Sequence, residues 1–132
     1  MGLMIELIVT ANDDLYRTLS EKARAEGKVP LHAHDVLQGL EQAVRLGSRQ
    51  TEDMPQVSAI DSALISIVID MSLRAADTLL ESLHSRPNTA DIPLLAVRCD
   101  GQTVPLALRR LCTDVLERDG RSASCGLETR AP

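Results

Sequence analysis

The residues whose types could do chemistry lie in a few places along the chain. Asp70 closes the β-branched run "ALISIVI" and precedes a helical pattern, "MSLRAADTLLESL". A carboxylate at the carboxyl end of a buried parallel strand stands where open α/β sheets place their ligands, so Asp70 is the first candidate site. "HAH" puts His32 and His34 on one face if the segment is a strand, a spacing compatible with a metal. Two ligands do not make a site, however, and surface histidines are the simpler expectation. The three cysteines, Cys99, Cys112 and Cys125, are odd in number and form no CxxC pair, which argues against a disulfide framework and a zinc site. They read as free thiols. Cys112 falls on a helical face expected to be buried, and no histidine is placed to activate Cys99, so nucleophilic catalysis is not expected. "DGQ" at 100–102 lacks the repeated glycines of a phosphate-binding loop and reads as a plain turn.

The elements that must position Asp70 follow from the apolar spacing. Residues 5–9, "IELIV", form a strand, and Asn12 or Asp13 caps a helix that runs to about Ala25 with Leu15, Leu19 and Ala23 inward and Gly27 closing it. "KVPLHAH" is a weak second strand, which Pro30 confines to an edge or to a strand start. Asp35 caps a second helix with Val36, Leu40, Ala43 and Val44 on one face and Gly47 at its end. "SRQTEDMPQVSAIDS" is a long polar loop, of the kind that is functional or mobile. "ALISIVI" is a central strand buried on both faces. A third helix, about 74–85, buries Ala76, Leu79, Leu80 and Leu83 and stops before Pro87. "IPLLAV" is a fourth strand, and "VPLALRRLCTDVLERDG" a fourth helix with Leu108, Leu111, Cys112 and Val115 inward. Alternating β and α elements imply a parallel sheet with helices on both faces. Residues 1–120 make one domain, and 121–132 a loose tail.

Composition removes several function classes. A net charge of −5 gives no footprint for a phosphate backbone, and the single aromatic, Tyr16, offers no stacking platform, so nucleic acid is not an expected partner. With 44% apolar residues and no apolar run long enough for a bilayer, no membrane anchor is expected. "MGLMIELIV" reads as a strand rather than a signal peptide, which points to the cytoplasm.

The stretch "IVIDMSLRAADTLLESLHSRPNTADIPLLAV" resembles the receiver domain of bacterial two-component response regulators, whose phospho-acceptor strand ends in Asp and is followed by a Leu-rich helix, "ADIP" and another strand. The resemblance extends from Ile5 to the fourth strand. It implies a flavodoxin-like α/β fold with Asp70 at the acceptor position. It also implies what is replaced. The family's Mg²⁺-holding acids at the end of the first strand fall on Thr10 and Ala11, neither of which can be an anionic ligand. Asp13 and Asp14 lie further on, in the first turn of the helix. The family's switch Ser/Thr falls on Arg98, its proline after the acceptor loop on Arg74, and its fifth strand with Lys-Pro has no counterpart. The last helix matches either the family's fourth or its fifth.

The resulting expectation is a sheet of order 2-1-3-4 with the fifth strand missing or replaced. Its degenerate, pseudo-receiver pocket is lined by Thr10, Ala11, Asn12, Asp13, Arg74 and Arg98 around Asp70. Because a buried carboxylate without a partner is costly, Arg98 or Arg74 is expected to pair with it. The expected role is a non-catalytic protein-interaction module in signalling, independent of phosphorylation, with no metal or cofactor. A homodimer is expected across the apolar edge that a missing fifth strand leaves on "IPLLAV", or across its flanking helix. The alternatives are a phospho-accepting receiver using Asp70 with Mg²⁺, and a small-molecule sensor with the loop of residues 50–62 as a lid.

Overall fold

Capped helices alternating with apolar strands fold into a single parallel sheet. The computed structural model describes residues 2–51, 61–87, 89–98 and 104–117. Along the chain run β1 (Gly2–Val9), α1 (Asp13–Ala25), β2 (Val29–Ala33), α2 (Val36–Thr51), β3 (Asp61–Asp70), α3 (Ala76–Ser85), β4 (Leu94–Val97), α4 (Leu106–Arg109) and β5 (Asp114–Leu116). The strand order is β2-β1-β3-β4-β5, with every neighbouring pair parallel. β1 and β3 therefore lie inside the sheet, and their carboxyl ends meet near Asp70.

The caps form as the side chains dictate. Asn12 Oδ1 accepts the Leu15 amide at 3.0 Å, and Asp35 Oδ1 accepts the Gln38 amide at 2.8 Å. Each satisfies a first-turn N–H that the helix itself cannot. Gly27 ends α1 with φ 83°. This is the left-handed conformation, for which glycine has no steric penalty.

The core has two faces. Leu7 and Val9 of β1, Ile67 and Ile69 of β3, and Leu94 and Ala96 of β4 pack under α2 and α3, against Ala43, Ala76, Leu79, Leu80 and Leu83. Ile8, Val68, Val97 and Leu116 face Leu15 and Leu19 of α1. At Gly39 a Cβ would come within 2.8 Å of Val9 Cγ2. A bare backbone is therefore what lets α2 lie this close to β1.

Several expectations change. "VPLALRRLCTDVLERDG" is not one helix: α4 covers a single turn, a bend follows, and "DVL" forms β5, the strand expected to be missing. Two apolar residues between acids read equally well as either state over so short a span, and here pairing with β4 decides it. Leu108, Leu111 and Cys112 still pack against the core, but Val115 does so from a strand. Lying between β4 and β5, α4 occupies the fourth helix's place. β4 is thus an interior strand, and the exposed apolar edge that motivated a dimer does not exist. α2 continues through Gly47 to Thr51, and α3 begins two residues later than expected, after Ala75 with φ 65°. Residues 52–60 of the polar loop, the "DGQ" turn, Cys99, Cys125 and the tail at 121–132 lie outside the described residues.

Candidate functional site around Asp70

The site is built by the register of β1 on β3. Pairing runs Ile5↔Leu64, then Glu6↔Ser66, so Ile65 is the extra residue of a β-bulge. Beyond the bulge the side chains facing α1 come in cross-strand pairs: Glu6 with Ser66, Ile8 with Val68 and, one step past the paired residues, Thr10 with Asp70. Each polar pair joins a carboxylate to a hydroxyl, with the two roles exchanged between strands and an apolar pair between them.

Asp70 is 4% exposed and Thr10 is fully buried. Thr10 Oγ1 donates to Asp70 Oδ2 at 2.7 Å. The same hydroxyl accepts the Asn12 amide at 3.0 Å, which leaves Asp70 as the acceptor for its single proton. The other carboxylate oxygen, Oδ1, accepts the Ser72 amide at 3.0 Å and the Ser72 hydroxyl at 2.7 Å. Among the described residues Asp70 therefore has three donors, all uncharged. Hydrogen bonds of this kind contribute about 1 kcal/mol each, and leaving a buried acceptor unmade costs about as much or more.

Thr10 is in turn held from several sides. Its amide donates to the Ala33 carbonyl at 2.9 Å, and its own carbonyl lies 2.9 Å from His32 Nε2. His32 is stacked on Tyr16, with ring centres 3.9 Å apart and planes 7° from parallel, and His34 lies 4.0 Å from it at 41°. The "HAH" rings do share a face, but His32 is half-buried and engaged with the strand beside it rather than being a free surface histidine.

The expected Arg–Asp pairing is not what forms. Arg98 Nε and Nη2 lie 3.1 and 2.7 Å from Glu117 Oε2 and Oε1. This is a two-point pair between the residues that follow β4 and β5. That pair, acting first through its hydrogen bonds, raises the Arg98 pKa above its ordinary value. Arg74 is exposed in the turn before α3. Among the described residues no ion pair reaches Asp70. The physical reason is that Thr10 and Ser72 already meet the requirement the arginines were expected to meet. Ala11, Asn12 and Asp13 are exposed, and Asp14 points to Arg17 at 3.2 Å in the solvated first turn of α1. No group of three or more acidic, histidine or cysteine side chains able to hold a metal occurs among the described residues.

Sequence reasoning does not pick out Ser72 or Glu117. Ser72 has a legible signal, since an Asp carboxylate commonly accepts the amide two residues on. Glu117 has none while its segment reads as a helix. Cys112 is free, and burial pushes its thiol up to about 11, the opposite of what a nucleophile needs.

No protein-family model and no curated protein matches the sequence. Solved structures do match in three dimensions. The CheY-like receiver domain from Methylobacillus flagellatus superposes with a TM-score of 0.66 at 17% identity, covering 96% of this chain and 98% of that one. The chemotaxis protein CheY4 of Vibrio cholerae gives 0.65 at 14% identity, covering 96% and 95%. A sensor protein from Polaromonas sp. JS666 gives 0.62 at 19%, covering 84% and 79%. The chain has the receiver-domain fold. The five-strand order and the place of Asp70 at the end of β3 then acquire a frame, in which receiver features can be compared position by position. Among the described residues no helix is long and apolar enough to cross a membrane.

Proposed function

We propose that this receiver-fold domain is a protein-interaction module of a signalling pathway that acts without phosphorylation of Asp70. The observation carrying this reading is the hydrogen-bonding of Asp70, whose two oxygens are both engaged by neutral donors from Thr10 and Ser72. Phosphoryl transfer to a carboxylate brings negative charge against negative charge and needs a cation to offset it. Thr10 and Ala11 stand where the receiver resemblance places the acids that hold that cation. The residues matched to the switch hydroxyl and to the lysine after the fifth strand are now Arg98 and Glu117, which neutralise each other. Taken together these replacements favour one fixed arrangement and recognition by surface shape.

The test is a Mg²⁺ titration followed by amide shifts at residues 70–72. Wild-type protein is expected to show no saturable shift there. The double variant T10D/A11D is expected to gain a saturable site that D70N abolishes again. Saturable Mg²⁺ binding to the wild-type chain, lost in D70N, would overturn the reading and favour a phospho-accepting receiver.

A further inference from the structure

We infer that His32 and His34 form a two-imidazole chelate for a borderline divalent transition metal, of the Ni²⁺, Cu²⁺ and Zn²⁺ class, at the β2 edge of the sheet. The inference starts from a tautomer. His32 Nε2 lies 2.9 Å from the Thr10 carbonyl oxygen, and a carbonyl can only accept, so Nε2 carries the proton. Nδ1 is then the ring nitrogen with a lone pair. A metal-binding histidine characteristically donates its other N–H to a backbone carbonyl or carboxylate, which orients the ring and raises its basicity. His32 has that arrangement already.

The ring is also preorganised. Stacking on Tyr16 fixes its plane from the α1 side, and a ring locked in advance loses little freedom when it takes a ligand. His34 lies on a backbone anchored just outside α2, where its amide donates to Gln38 Oε1 at 2.6 Å, while its side chain is exposed. The ring centres are 4.0 Å apart. Two imidazoles bound to one metal at about 2.0–2.1 Å, at the angles of tetrahedral or octahedral geometry, place their ring centres about 4.5–5 Å apart. A small swing of the exposed His34 supplies the difference. Imidazole nitrogen suits this class of metal, and Mg²⁺, which takes oxygen ligands, is excluded by the donor set. Water fills the remaining positions. The site is separate from Asp70, although the imidazole that would hold the metal also holds Thr10.

The experiment titrates Ni²⁺ into the full chain and its H34A, H32A and H84A variants. It follows affinity by calorimetry and location by paramagnetic broadening of backbone amides. The expected result is broadening centred on residues 32–35, reversed by EDTA. H34A, which alters an exposed side chain, is expected to weaken binding at least tenfold, as is H32A. H84A, which removes the remaining histidine from α3, is expected to bind as wild type. Unchanged affinity in H34A, broadening centred on the cysteines, or no binding by the wild-type chain would each overturn the inference.

Discussion

Two carboxylates are buried on the same face of the β1–β3 pair and are accommodated by different means. Glu6 accepts the Ser66 hydroxyl at 2.7 Å and is ion-paired with Lys28 at 3.0 Å. Asp70 accepts the Thr10 hydroxyl at the same 2.7 Å, but its further donors are the amide and hydroxyl of Ser72. The cross-strand bond is the same, with the strands exchanged, and the remaining partners differ. Glu6 lies in mid-strand, beside the bulge, and its second partner is a side chain reaching in after α1. Asp70 ends its strand, where the turn frees an amide and a hydroxyl two residues on. The strand-end carboxylate is thus satisfied without a cation, whereas the mid-strand one takes a lysine.

The largest effect that would sharpen this contrast is expected from Lys28→Met. Removing one partner of a buried ion pair costs about 3–5 kcal/mol when both groups are fully desolvated, and the partial exposure of Lys28 reduces this to about 2–3 kcal/mol. Urea denaturation measures it. Equal stability of the variant and wild type would mean that Glu6 does not depend on its cation.

Next in size is Thr10→Val, which keeps nearly the same shape and deletes the hydroxyl. It leaves Oδ2 of Asp70 without its donor and the Asn12 amide without its acceptor, a loss of about 1–3 kcal/mol by the same assay. Thr10→Ser is expected to restore most of it. Smaller again is Ser72→Ala, because the exposed turn admits water in place of the hydroxyl and the Ser72 amide remains. About 1 kcal/mol or less is expected.

The smallest effect is in pH. Burial lowers the pKa of the Lys28 ammonium, but its hydrogen bonds to Glu26 and Glu6 outweigh this and leave it raised. A raised folded-state value means that stability from the pair is fully present below the ordinary lysine range and is lost as pH rises through the folded pKa. Glu26 is lowered, chiefly by its hydrogen bond to Lys28, so its contribution is present above the ordinary carboxylate range and fades as pH falls through the folded pKa. Thermal melts across pH should show an alkaline decline in wild type that is absent from Lys28→Met. A decline of the same size in both would remove Lys28 as its source.

What the sequence discloses follows the strength of the local signals. Asn12, Asp35 and Gly27 announce their helix ends because capping is decided by one side chain or one φ angle. The apolar faces of α1 and α3 are likewise legible, since Leu15, Leu19, Leu79, Leu80 and Leu83 repeat at helical spacing and are all buried. β5 is not, because three residues carry no period and their state is set by pairing with β4, which local spacing does not reveal. That one misreading also conceals Glu117, and with it the partner of Arg98. Charge alone matches the arginines to Asp70, whereas the structure meets the need with a threonine whose legible feature is only that it is no anionic ligand. Reading Asp70 as a buried acceptor that needs any donor, rather than a charge that needs a cation, points to Thr10 and Ser72.

The central claim, that Asp70 is complete as it stands and takes no phosphoryl group, is tested most directly by intact-mass measurement after incubation with a small phosphodonor and Mg²⁺. Unchanged mass in the wild-type chain is the predicted result, under conditions in which a phospho-accepting receiver is modified. Stoichiometric gain of one phosphoryl group, absent from Asp70→Asn, would contradict the account.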